Sequence, residues 1–288
     1  HGITVDKRGN IYISDSGMAT VHIINREAGT FGKLFNPVGF IMPLGLAYDE
    51  SMDWVAAADA GTAKVVVMDV YRNKLVFVLG QRGEFSRPVA VAFDSARQRI
   101  YVADTGLHKI KVFDFGGKFL FDIGEKGVAP GKLYFPTGVA LDKDGNIYVV
   151  NSFNFRFDRF DPDGKFVKSV GEHGDSPGNF ARPKAIALDS EGHIYVTDAA
   201  FNNFQIFDKE GNLYLFVGEG GEPVGAFQNL YSIAIDKNDL IYTTDQNNAR
   251  IQIFKYIAGI DNAPAATGIA NTPAAPGSEE KAAPDAKP

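Results

Sequence analysis

Short apolar runs closed by an aspartate alternate with tight polar turns along most of the chain. One set reads GITVD (2–6), GLAYD (45–49), AVAFD (90–94), GVALD (138–142), AIALD (185–189) and SIAID (232–236). A second set follows a few residues behind each of these: IYISD (11–15), WVAAAD (54–59), IYVAD (100–104), IYVVN (147–151), IYVTD (194–198) and IYTTD (241–245). Both sets are rich in β-branched and aromatic residues and are bounded by Gly, Asn and Asp, so both predict strands. The first aspartates stand at 6, 49, 94, 142, 189 and 236, which makes the successive intervals 43, 45, 48, 47 and 47 residues.

The fourth unit displays the plan most clearly. Strand a covers 137–142 and turns through Asp142-Lys-Asp-Gly-Asn146, where Gly145 supplies a positive φ. Strand b covers 146–151, strand c about 155–160, and Asp161-Pro-Asp-Gly164 turns into strand d at 165–170. A Gly-rich stretch, 171–182, then crosses to Pro183 and the next strand a. Similar Gly-x-x-Gly connections recur at 80–83, 124–127 and 218–221. A period near 45 made only of short strands and turns is the pattern of a β-propeller blade. The expected fold is therefore all-β: a six-bladed β-propeller of four-stranded antiparallel blades. Small residues at Thr4, Ala47, Ala92, Ala140, Ala187 and Ala234 are expected where the inner strands converge on the axis. The sixth unit has strands a, b and c but no convincing strand d, and a strand upstream of His1 is expected to complete it; without one the blade has an exposed edge. The propeller is expected over 1–257. Residues 258–288, dominated by Ala, Pro, Gly, Thr and charges, have nothing periodic to bury and are expected to form a flexible tail.

Composition narrows the function more than the fold. A net charge of −6 argues against a nucleic-acid partner, which needs a basic footprint. No apolar run reaches the length of a membrane span. The absence of cysteine excludes disulfides, thiolate chemistry and cysteine-ligated metals. The chain begins at His1 rather than methionine, which reads as a processed or truncated product.

The units resemble NHL repeats. The likeness rests on Pro-x-Gly-Val/Ile-Ala-x-Asp, Gly-Asn-Ile-Tyr-Val-x-Asp and x-Phe-Asp-x-x-Gly; the fourth unit reads PTGVALD…GNIYVVN…FRFDRFDPDG and the fifth PKAIALD…GHIYVTD…NFQIFDKEG. It covers 1–256 and is closest in units three to six. The family includes peptide- and protein-binding modules, extracellular sensors, RNA-binding domains and a metal-dependent amidating lyase, and related propellers include metal-dependent lactonases. The overall texture is similar to exported bacterial NHL-repeat proteins. That likeness implies a periplasmic or extracellular location and a partner among cell-envelope or electron-transfer components.

The recurring aspartates read as architecture. Asp6, Asp49, Asp94, Asp142, Asp189 and Asp236 open the a–b turns, where a short acceptor bonds nearby N–H groups. Asp15, Asp59, Asp104, Asn151, Asp198 and Asp245 close strand b, with Lys64, Lys109, Arg156 and Arg250 placed to pair with them. DKDGN (142–146) and DPDGK (161–165) have glycine fourth instead of sixth and lack the terminal glutamate, so they are turns rather than calcium loops. The residue after the recurring proline is expected at the channel mouth. Its occupants are His1, Leu44, Val89, Thr137, Lys184 and Tyr231, too few imidazoles for a zinc site. No nucleophile elbow, phosphate loop or dinucleotide fingerprint is present, and neither a metal nor another cofactor is expected. The b–c loops of blades 3–6 carry aromatic rings flanked by amides. The expected function is a non-enzymatic scaffold that binds a protein or peptide through this face, using Phe153, Phe155, Phe201, Asn202, Lys184 and Tyr231. The alternative is a metal-dependent lyase or lactonase with a channel site.

Overall fold

The computed structural model describes residues 1–34, 36–80 and 83–256; the tail expected at 258–288 lies outside the described residues. Strands a to d of the first blade are Ile3–Val5, Ile11–Asp15, Thr20–Asn25 and Thr30–Lys33. Those of the second are Pro43–Asp49, Trp54–Asp59, Lys64–Asp69 and Lys74–Leu79. The third has Pro88–Asp94, Arg99–Asp104, Lys109–Asp114 and Phe119–Ile123. The fourth has Pro136–Leu141, Ile147–Asn151, Arg156–Phe160 and Phe166–Val170, with one 3-10 turn at Ser152–Asn154. The fifth has Pro183–Leu188, Ile194–Asp198, Asn203–Phe207 and Leu213–Val217. The sixth has only Leu230–Ile235, Leu240–Asp245 and Arg250–Lys255. Every blade is an antiparallel meander, and the a strands neighbour one another around a ring that closes between the sixth and first blades.

The expected propeller is thus present, three-stranded sixth blade included. Its strand c is the outer edge of that sheet among the described residues. The closing seam is made by side chains. Tyr242, Ile3, Val5 and Ile11 share one buried cluster, and Arg26 donates to the Tyr242 hydroxyl at 3.0 Å.

Register explains the small residues of strand a differently from the expectation. Thr4, Ala92, Ala140, Ala187 and Ala234 lie directly opposite Tyr12, Tyr101, Tyr148, Tyr195 and Tyr242 of strand b. They leave room for a buried ring in the cross-strand pair. The closest approach of the inner strands occurs two residues earlier, at Gly2 and Gly45, where an added Cβ would lie 2.1 Å and 2.5 Å from a neighbouring carbonyl oxygen.

The tyrosines also hold the a–b turns. Tyr195 donates to Asp189 at 3.0 Å and Tyr242 to Asp236 at 3.0 Å, while the same carboxylates accept turn N–H groups. Burial and the adjoining carboxylate push the hydroxyls of Tyr148 and Tyr242 up to about 12. Tyr195→Phe is expected to cost about 1.5–3 kcal/mol, the value of one hydrogen bond to a charged acceptor, because Asp189 keeps its backbone donors. Urea denaturation measures this, and a loss above twice that range would mean that the hydroxyl organises more than its own turn.

Between blades, the d–a connections insert one large apolar side chain each: Phe85, Leu133, Phe180 and Phe227, all buried. The glycine that opens the connection makes this possible. Gly171 has φ +93°, and a Cβ there would meet the Phe180 ring at 2.6 Å.

Candidate functional site

In five consecutive blades the a–b register slips just after the first residue of strand a, between Pro43 and Leu46, Pro88 and Ala90, Pro136 and Gly138, Pro183 and Ile186, and Leu230 and Ser232. A bulge at that point re-aims a side chain. Leu44, Val89, Thr137, Lys184 and Tyr231, all expected at the channel mouth, do line one cavity there of about 260 Å³. The sixth expected occupant, His1, stands beside it and meets the Tyr231 ring edge-on at 4.8 Å. The rest of the wall is largely strand-a backbone and apolar groups, with Arg87, Thr105, Phe135, Ser152 and Phe153 at the loop end.

The electrostatics of this cavity are one-sided. Arg87 and Lys184 are its only charged lining residues among those described, in a chain of net charge −6. The Lys184 ammonium lies 5.7 Å from the centre of the Tyr231 ring, a cation–π arrangement. Burial lowers its pKa, the neighbouring Arg182 adds to that, and Asp198 opposes it. Burial raises the Tyr231 hydroxyl, with Arg87 opposing.

Of the six binding residues expected from sequence, three meet here: Phe153, Lys184 and Tyr231. Phe153 is 55% exposed, and its ring lies 4.4 Å from Phe135 and 5.6 Å from Tyr134. Phe155 turns the other way, packing at 4.4 Å on His173 and against the core between blades 4 and 5. Phe201 is half-buried in its loop, with its N–H given to Asp198. The Asn202 carboxamide oxygen accepts the N–H of Asn229 at 2.7 Å. His108, at the same loop position two blades earlier, accepts the N–H of Phe135 through Nδ1 at 3.0 Å. Both loop residues have positive φ and brace the next blade. Sequence reasoning missed Phe135 and Tyr134. Their signal lies in the repeat, since Arg87, Phe135 and Arg182 all precede the recurring proline.

The strand-b termini set the positions of these groups. Asp104 accepts from the N–H groups of Ser86, Arg87, Gly106 and Leu107 at 2.7–3.0 Å, so one fully buried carboxylate fixes both the d–a connection and the b–c loop. Asp198 does the same for Ala181, Arg182, Ala200 and Phe201. The expected cation pairing is realised at Arg250, which meets Asp245 at 2.9 Å. It is displaced at Arg156, which pairs with Asp158, and at Lys109, which pairs with Asp122.

Metal-dependent relatives would require converging donors. Among the described residues no three His, Asp or Glu side chains come together, and the channel offers hydroxyls and cations. That donor set does not suit a divalent ion.

The NHL repeat matches residues 180–207, from the fourth d–a connection through strand c of blade 5. A β-propeller repeat matches residues 123–150. No curated protein matches the chain in sequence. Among solved structures the chain is similar to virginiamycin B lyase from Staphylococcus aureus with quinupristin (TM-score 0.64, 14% identity, 88% of this chain and 80% of that one). It is likewise similar to a gluconolactonase from Xanthomonas campestris (TM-score 0.64, 16% identity, 83% and 80%). A third is a chain of the nidogen/laminin complex (TM-score 0.64, 17% identity, 82% and 86%). At these identities the likeness is one of fold, and the fold supports many activities. Repeat matches and architecture agree on one conclusion: the chain is a six-bladed β-propeller that carries an NHL repeat in its fifth blade.

Proposed function

We propose that this propeller is a non-enzymatic binding module that docks a protein or peptide partner on the b–c loop side of the ring, centred on the channel mouth. The observation that carries this is Phe153. It is the largest exposed apolar side chain at the mouth and is held by Phe135 and Tyr134 rather than free to fold away. An aromatic group pre-positioned beside a cavity loses little entropy on docking. The b–c loop is itself fixed at Asn151, which accepts the N–H of Tyr134 at 2.7 Å. A propeller in the nidogen/laminin complex lends support to a protein partner. The channel's donor set lends none to the metal-dependent lyase or lactonase alternative. An exported location, with a cell-envelope or electron-transfer partner, belongs to the same proposal.

The test is selection of a phage-displayed peptide library against the immobilised protein. Peptides enriched on the parent are expected to lose at least about tenfold in affinity on Phe153→Ala, as a central aromatic anchor should. The melting temperature should stay within about 2 °C, because an exposed ring contributes little to stability. Failure of any peptide to enrich, or a large stability loss in the variant, would overturn the proposal.

A further inference from the structure

We infer that the channel mouth is a receptor for a carboxylate, presented by an acidic side chain or the C-terminus of the peptide partner; this rests on the binding function proposed above. Two cations, Arg87 and Lys184, line one cavity of about 260 Å³, and no Asp or Glu lines it among the described residues. Neither side chain forms an ion pair or a side-chain hydrogen bond within the described residues. Elsewhere the chain pairs its cations readily, as at Arg8, Arg72, Arg97, Lys109, Arg156 and Arg250.

The acid nearest in effect to Lys184 is Asp198, and its oxygens are already engaged. They accept the N–H groups of Ala181, Arg182, Ala200 and Phe201. Lys184 therefore bears the cost of burial without a counter-ion, and Tyr231 gives its ammonium only a ring face at 5.7 Å. An anion entering the mouth would supply the missing partner, in a site of reduced dielectric where the pair gains most. The cavity holds about one side chain rather than a polymer backbone. Its other lining atoms suit the apolar part of that side chain, while the Tyr231 hydroxyl can donate to the same oxygens. The bulges bring this about: the slip after Pro183 turns Lys184 out of the a–b ladder and into the channel.

The experiment uses peptides enriched by the phage library on the parent protein. Each is resynthesised with its acids replaced by amides and its C-terminus amidated, and affinities are measured by calorimetry. The expected result is that one carboxylate in each peptide is essential, its removal weakening binding at least tenfold. Lys184→Met should abolish the difference between acid and amide forms, and Lys184→Arg should restore it. Raising NaCl should weaken only the acid form. Because the Lys184 side chain holds no hydrogen bond, Lys184→Met should fold, and circular dichroism checks that it does. Peptides that bind without any carboxylate, or whose capture ignores Lys184→Met, would overturn the carboxylate receptor and leave the binding function standing. No enriched peptide would overturn both. Succinate competing as strongly as the best acidic peptide would assign the site to a free small acid and overturn the peptide source.

Discussion

Asn151→Asp is expected to lower stability by about 3–5 kcal/mol at neutral pH, the cost of an uncompensated buried charge. In a domain of this size that is a fall in melting temperature of roughly 10 °C. Asn151 is fully buried and its amide nitrogen donates to Asp158 at 2.6 Å and to the Lys132 carbonyl at 2.9 Å. A carboxylate there would turn both bonds into oxygen–oxygen repulsions, beside an Asp158 that is itself fully buried. Arg156, already bonded to Asp158 at 2.9 Å, can neutralise only one of the two acids. The other blades show what is missing. Blades 5 and 6 have an acid at the end of strand b, Asp198 and Asp245, but glutamine on strand c where blade 4 has Asp158, at Gln205 and Gln252. Asn151→Asp combined with Asp158→Gln restores that arrangement and is expected to recover most of the loss. The pH dependence has a definite sign. Repulsion raises the folded-state pKa of the pair above the unfolded value near 4. The penalty is then absent below about pH 4 and grows as pH rises through the folded pKa. Thermal melts of the three proteins between pH 4 and 8 measure it; a single variant as stable as the parent at pH 8 would show that the two side chains are not in contact.

The same pair of residues shows how far the sequence could be read. The strand-b terminus was recognisable as a bracing position because it recurs in every unit, with Asn151 taking the place of Asp in the fourth. Its partner did not. Asp158 lies on the next strand and becomes adjacent only through the antiparallel register that sets Asn151 against Arg156. The blades, their strands and the five mouth residues were legible because periodicity and the recurring proline carry them along the chain. The aromatic rim was only half legible. Phe153 and Phe155 look alike in sequence, two positions apart in one loop, yet Phe155 takes a positive φ of 55° and turns to the core while Phe153 stays at the mouth. Local pattern cannot separate them, because the direction of each ring is set by a distant d–a connection: Phe135 ahead of blade 4 for one and His173 after it for the other. Likewise, the Asn202 carboxamide is tied to the backbone of Asn229 in the next blade, a contact that no local pattern carries.

Gly45→Ala is expected to destabilise by about 3 kcal/mol, at the upper end for an inserted methyl, while Gly138→Ala stays within about 1 kcal/mol of the parent. The two glycines occupy the same ring position in different blades, and neither has a positive φ, so steric fit alone separates them. A Cβ on Gly45 would lie 2.5 Å from the Val89 carbonyl oxygen and 2.6 Å from the Ala90 Cα. Both atoms are backbone of the adjacent inner strand, and no rotamer change can move them aside. Relief requires the second and third blades to part, which would also disturb the buried cluster they share around Trp54, Val91 and Val102. On Gly138 the nearest contacts are 3.1 Å, to the Lys184 carbonyl oxygen and the Val150 side chain, a gap that a shift of a few tenths of an ångström relieves. The alanine also restricts the unfolded chain, which offsets part of that cost. Ala90 and Ala185 already carry a methyl at this level of the ring, so the ring tolerates one where its strands stand further apart. Urea denaturation of the two variants decides the matter. Equal stabilities would mean that the inner strands are evenly spaced around the axis. The unequal result would show that the inner strands stand closer between blades 2 and 3 than between blades 4 and 5, and leave the wider side of the mouth, at Lys184 and Tyr231, free for a ligand.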